Sequence, residues 1–331
     1  MYCIDKTFLI FDKKNMKKDI KILFFSLLLA SACSENKKDT TTTVETIIDS
    51  VKTTITTPSY KLQSGNLSLE VDPKTGARIS SIKINGEEIL YGKLDSSNNW
   101  GSTFWPSPQE LWGWPPIPVL DNESYRDTAA SQGFSLVSNI AAKPKISVLK
   151  NFVASPEDSS FIINYTITNQ SDSAIKIAPW EITRVPAGGI FFYPKGKDKP
   201  KGDLKVFVKN INNITWYDYD SATIPKGVPK LFADGEEGWL AYLSNERNLL
   251  VKKFENAPLE NKAPDPENEI ELYTDSEKRY TEVEQQGAYK TLEPKNSYTW
   301  TVKWYARKVP ASVNAAAGSK DLAAFVRTTL N

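Results

Sequence analysis

From Tyr60 onward, apolar and polar residues alternate in short runs, the period of strands with one buried face. Runs of this kind cover 66–71, 77–84, 146–149, 161–168, 190–193, 204–208, 239–243, 269–273, 280–286 and 298–305. The last is the clearest: Tyr298, Trp300, Val302 and Trp304 fall on one face, with Thr299, Thr301 and Lys303 on the other. Turn residues separate the runs, notably Asp72-Pro73-Lys74-Thr75-Gly76 and Asn85-Gly86, the latter a strong signal for a two-residue hairpin. One convincing helix is predicted, over 320–329, with Ser319 as its cap and Leu322, Phe325 and Val326 on one face. No internal repeat and no second boundary is visible. The pattern predicts a single all-β domain over 60–331, with antiparallel sheets packed as a sandwich and a short C-terminal helix.

The amino end follows a different pattern. Met16-Lys17-Lys18 opens a basic stretch, 22–29 is an apolar run, and Ala30-Ser31-Ala32 leads into Cys33. That is the order of a secretory signal, and the apolar run falls well short of the ~18 residues of a membrane span. The small residues before the cysteine resemble a bacterial lipobox. The resemblance implies acylation of Cys33 as the first mature residue, with Met16 as the true start. Several acyl chains, at ~0.8 kcal/mol per buried CH₂, hold a protein stably at a membrane. Residues 1–32 are thus expected to be an over-extended start plus lipoprotein signal, and the protein an outer-membrane lipoprotein of a diderm cell envelope. The stretch 33–59 is Thr-rich and nearly free of aromatics, the composition of a flexible tether.

Composition removes several kinds of chemistry. The 331 residues contain no histidine and two cysteines, Cys3 and Cys33. Nucleophile–imidazole catalysis, His-ligated zinc or haem and a disulfide framework are therefore excluded, and no cofactor or metal is expected. A net charge of +1 argues against nucleic-acid binding. Acid/base chemistry is left to Asp, Glu, Lys or Tyr.

The most unusual segment is 104–118, with three Trp and five Pro in fifteen residues. Prolines at this density argue against a central strand. Ser107-Pro108-Gln109-Glu110 has the form of a capping box, predicting one helical turn to Trp112 that Gly113 stops. Trp105, Trp112 and Trp114 offer flat surfaces for sugar C–H faces, and Gln109, Glu110, Asp121 and Asn122 offer polar groups for hydroxyls. The alternative is an aromatic plug over one end of the sandwich. Along 280–286, Glu282, Glu284 and Gln286 share a strand face, as acid/base groups with mutually raised pKa values or as ordinary surface acids. Trp180-Glu181 and Arg184 have apolar neighbours, so Glu181 and Arg184 are expected to be partly buried and to have partners. Lys195, Lys197, Lys199 and Lys201 read as a solvated hairpin tip.

Three stretches carry a resemblance. Residues 76–90, then 165–169 with Ile177-Ala178-Pro179-Trp180-Glu181 and Gly188-Gly189, then Glu284-Gln285-Gln286 with 292–298, are similar to segments of galactose mutarotase-like (aldose 1-epimerase-like) domains. The resemblance spans about 62–308 and implies an antiparallel β-supersandwich with a sugar-accommodating groove on its concave sheet. It implies Glu284 as the catalytic base. The family's general acid is a histidine, where this chain offers Trp180 or Glu181. Glu181 at that place would oppose Glu284 as a second carboxylate, with Arg184 as orienting cation. Expected around them as sugar-binding residues are Trp105, Gln109, Trp112, Trp114, Trp180, Glu282 and Gln286. The resulting expectation is a carbohydrate-binding envelope lipoprotein without classical mutarotation. The alternatives are a carbohydrate-active enzyme using paired carboxylates and a structural envelope protein.

Overall fold

The computed structural model describes residues 60–94 and 97–331. The signal-like segment 1–32, the lipidation candidate Cys33 and the Thr-rich stretch to 59 lie outside the described residues.

The alternating runs pair into two ten-stranded antiparallel sheets. Along its main path the first runs Lys61–Ser64, Leu67–Asp72, Arg78–Ile84, Ser102–Ser107, Ile175–Pro186, Tyr280–Gln286, Ile270–Thr274 and Lys230–Ala233. The second runs Val208–Ile211, Ile214–Asp218, Ile190–Pro194, Trp239–Leu243, Asn248–Phe254, Ser297–Lys308, Ser160–Asn169, Ile146–Ser155, Phe134–Val137 and Arg126–Thr128. The Asn85-Gly86 signal closes a hairpin that pairs Ile84 with Glu87, and both turn residues take positive φ (52° and 86°) as the turn requires.

Period-two patterning sends one face of each sheet into a shared core. Tyr298, Trp300, Val302 and Trp304 pack there with Leu67, Leu69, Ile82, Phe104, Leu272 and Val283. Full burial of a large apolar side chain contributes roughly 1.5–3 kcal/mol, so the alternation alone holds the sheets face to face. The helix Lys320–Leu330 forms where expected, with Ser319 Oγ accepting the Leu322 N–H at 3.2 Å. It packs Leu322, Ala323 and Val326 against Trp216, Trp239 and Tyr305 on the outer side of the second sheet. A smaller group, Trp105, Trp180 and Ile182 with Trp112 against it, lies on the outer side of the first.

Three local expectations need correction. The 204–208 run is a 3₁₀ turn, Asp203–Val206, followed by the strand Val208–Ile211. Leu204 is buried while Val206 is 72% exposed, so the apparent alternation was not one of burial. The lysine-rich 195–201 segment is solvated at Lys195, Lys197 and Lys199, as expected, but it is not a hairpin tip. It bridges to Gly235 and Phe232, and Lys201 Nζ lies 2.9 Å from Asp265 Oδ1. The proline-rich segment does begin inside a sheet: Ser102–Ser107 lies between Arg78–Ile84 and Ile175–Pro186. Its pairing to Arg78–Ile84 is through Ser102 alone, so Pro106 has a ladder partner on one side and loses no bond on the other.

Candidate functional site

Register decides which side chains meet. In Ile175–Pro186, Trp180, Ile182 and Arg184 lie opposite Gln286, Glu284 and Glu282 of Tyr280–Gln286. Trp105 lies opposite Trp180, and Glu271 and Tyr273 lie opposite Glu284 and Glu282. Residues opposed across a ladder share a face, so all of these are on the outer face of the first sheet. Glu181, Thr183 and Gln285 point the other way, into the sandwich.

On this outer face opens a cavity of about 410 Å³, walled by Trp105, Trp114, Tyr273 and Tyr280. Polar groups converge on it from Asn99, Gln109, Arg184, Lys230 and Glu282. Arg184 NH2 and Glu282 Oε1 pair at 2.8 Å, with side chains 1% and 9% exposed. Nε and NH1 of Arg184 are buried without a hydrogen-bond partner, and the guanidinium lies 5.8 Å from the centre of the Trp105 ring. Burial and the Glu282 charge push the Tyr273 phenol up to about 12. Among the described residues, no group of three or more His, Cys, Asp or Glu side chains is arranged to hold a metal ion.

The aromatic loop is held by buried polar contacts from remote sequence. Trp105 Nε1 donates to Asp121 Oδ1 at 2.9 Å, and the same oxygen receives Thr103 Oγ1 and Arg78 NH2. Asp121 is thus an anchor rather than a hydroxyl binder. Gly76 (φ +65°) passes close beneath it, and a Cβ there would lie 2.3 Å from the Asp121 carbonyl oxygen. The turn predicted from the capping box forms as a 3₁₀ turn, Gln109–Leu111, with Pro108 at the cap and no side-chain cap bond. Glu267 does the capping from far along the chain. It accepts Ser107 Oγ and Gln109 N–H, both at 2.6 Å, and Gln286 Nε2 at 3.1 Å. Trp112 is half-buried, donates to the Pro106 carbonyl at 2.7 Å and meets Trp105 edge-on. Trp114 stays 68% exposed at the rim, its ring centre 6.2 Å from that of Trp105. The segment is therefore part plug and part open wall.

Glu284 is fully buried, where the sequence suggested a groove-facing base. Its Oε2 accepts Trp180 Nε1 at 2.9 Å, and Lys230 Nζ lies 3.6 Å from Oε1. Lys230 also pairs with Glu271 at 3.0 Å and lies 5.0 Å from the Trp180 ring centre. Burial raises the pKa values of Glu284 and Glu271; Glu271 and Glu282 add to the rise of Glu284, Glu267 adds to that of Glu271, and Lys230 opposes both. Burial alone would lower the Lys230 pKa, but Glu271, Glu284 and Glu282 together raise it. Gln286, also buried, donates to Glu267 and Glu271 and serves this network.

Glu181 is corrected outright as a partner for Glu284. The two lie on opposite faces of the sheet, because one residue of offset along a strand reverses direction. Glu181 is 0% exposed and pairs with Lys252 Nζ at 2.7 Å. It also accepts Tyr165 OH at 2.5 Å, Gln285 Nε2 at 2.7 Å and Trp304 Nε1 at 3.2 Å, tying the two sheets together. Arg184 has Glu282 as its partner, not Glu181. At the central segment the residue facing outward is Trp180.

The structure thus brings Trp105, Gln109, Trp114, Arg184 and Glu282 to one cavity, and Trp180 to its neighbour. Lys230, Tyr273, Tyr280 and Asn99 were missed by the sequence reading. Alternation put Tyr273 on one face of its run, but its place opposite Glu282 depends on register with the neighbouring strand, and Lys230 follows a proline-containing stretch with no signal of its own.

No protein-family model matches this chain, and no curated protein is similar to it. Solved structures are similar in fold. A galactose mutarotase-like protein from Clostridium acetobutylicum superposes with a TM-score of 0.54 at 11% identity, covering 75% of this chain and 95% of that one. A galactose mutarotase-like protein from Lactobacillus casei gives 0.54 at 11%, over 76% and 100%. A putative aldose 1-epimerase from Escherichia coli gives 0.51 at 11%, over 76% and 99%. With two antiparallel sheets, a short terminal helix and these neighbours, the described domain has the galactose mutarotase-like fold.

Proposed function

We propose that this protein binds carbohydrate in the cavity on the outer face of the first sheet, without His-dependent mutarotation. The observation that carries the reading is the wall of Trp105, Trp114, Tyr273 and Tyr280 around converging Arg184, Glu282, Gln109 and Asn99. Apolar walls with a few placed polar groups are the usual composition of a small-ligand site. Flat rings suit the C–H faces of sugars, and the amide, guanidinium and carboxylate groups suit their hydroxyls. The chain has no histidine, and Glu181 and Glu284 are both buried on opposite faces of their sheet, which favours recognition over turnover. The lipobox-like sequence at Cys33 supports membrane anchoring in the cell envelope of a diderm bacterium.

The test is a glycan panel screened for binding and for released product, using wild type and Trp114→Ala. Trp114 is exposed, so its removal is expected to spare the fold while weakening binding roughly tenfold, the order of one aromatic contact. Unchanged affinity in Trp114→Ala, or no glycan bound by wild type, refutes the site. Anchoring is tested separately: Cys33→Ser is expected to move the protein from the detergent phase to the aqueous phase.

A further inference from the structure

We propose that the groove accommodates a neutral or amine-bearing oligosaccharide of at least two sugar units, with a second subsite beyond Lys230. This rests on the carbohydrate-binding reading and names the ligand class for the same site.

The cavity of about 410 Å³ adjoins another of about 440 Å³, and Gln109, Val228 and Lys230 line both. Each falls within the ~300–1,000 Å³ in which a pocket encloses a whole small ligand. Two such hollows with a shared wall fit a ligand made of repeated units. The second hollow repeats part of the chemistry of the first, with the half-buried Phe232 as its aromatic surface, Trp180 being only 1% exposed, and Gln109 as an amide lining both. Exposed apolar side chains stand where hollows meet. Val228 is 70% exposed at the junction of these two, and Trp114 lines both the first cavity and a shallower depression of about 610 Å³. Large apolar groups left exposed along one groove mark a contact surface.

Charge narrows the class. The second hollow is lined by Glu110, Asp265, Glu267 and Glu271; Lys230 pairs with Glu271, and Lys201 and Lys262 pair with Asp265, which leaves Glu110 and Glu267 as its acids without a paired cation among the described residues. A uronate there would face like charge. A neutral or amino sugar would not.

The test is calorimetric titration with ladders of one to four units, from glucose to β-1,4- and β-1,3-gluco-oligosaccharides, β-1,4-manno-oligosaccharides, and glucosamine and N-acetylglucosamine oligomers. Oligogalacturonates serve as the acidic comparison. At least one neutral or amine-bearing ladder is expected to gain about tenfold or more in affinity from one unit to three. Phe232→Ala is expected to abolish that gain while leaving the single-unit affinity in place. Asp265→Arg, at a side chain 64% exposed, is expected to do the same without risk to the core. Equal affinity at every length, or a gain confined to oligogalacturonates, overturns the second subsite and leaves the carbohydrate-binding reading intact. No binding by any probe at any length overturns that reading and this one with it.

Discussion

Replacing Lys252 by Met is expected to destabilise the domain strongly, although Lys252 lies far from solvent and from the groove. Its ammonium lies 2.7 Å from Glu181 Oε1, and both side chains are 0% exposed. At an effective dielectric near 20, two unit charges that close attract by about 6 kcal/mol. Desolvation of both ions offsets much of this, so the intact pair contributes little net stability. Removing one partner is different. Glu181 keeps neutral donors from Tyr165, Gln285 and Trp304 but has lost its countercharge, a change that costs about 3–5 kcal/mol. Met fills similar volume, so little of the loss comes from a cavity. Urea unfolding followed by tryptophan fluorescence reads this as a lower midpoint at unchanged slope. The double variant Lys252→Met with Glu181→Gln is expected to lose no more than the single one, a coupling of about 3 kcal/mol. A loss below about 1 kcal/mol in Lys252→Met would refute the assignment of Glu181 as a buried structural anion.

Two further outcomes follow from the same contacts. Glu267→Ala frees Ser107, the Gln109 N–H and Gln286 at once, so it is expected to cost about 1–3 kcal/mol and to weaken glycan binding through the loosened loop; glycan affinity equal to wild type would show that the loop needs no such anchor. Burial would raise the Asp158 pKa, but Lys303, Ser160 and Ser155 hold it down at about 2. A carboxylate held low in the folded state stabilises above its unfolded pKa near 3.8, and that contribution disappears as pH falls through about 2. Asp158→Asn is therefore expected to flatten the acid limb of a stability–pH profile between these values, and an unchanged limb would remove Asp158 from the account.

Much of the sheet architecture was legible because strand burial repeats every second residue. Ser297–Lys308 needed nothing but its own alternation, and Asn85-Gly86 announced its turn through residues that tolerate positive φ. The resemblance added the fold, and the aromatic segment was recognisable from density alone. What was not legible was the direction of each carboxylate. Glu181 and Glu284 both belong to motif-like stretches. A side chain's face depends on register with the neighbouring strand, and that register is set by residues far away in sequence. The same limit hid Glu267, which caps a turn more than 150 residues before it.

The sequence by itself determined that this is an antiparallel β protein with a capped terminal helix, an aromatic- and proline-rich segment and no imidazole chemistry. Those properties follow from local period, turn chemistry and composition, which each stretch of chain carries on its own. Tertiary structure alone decided that Glu181 is a buried tie between sheets, that Glu284 lies behind Trp180 and Lys230, and that Glu282 with Arg184 lines the cavity. Such assignments depend on which side chains share a face and what covers them, and only the packed sheets fix both.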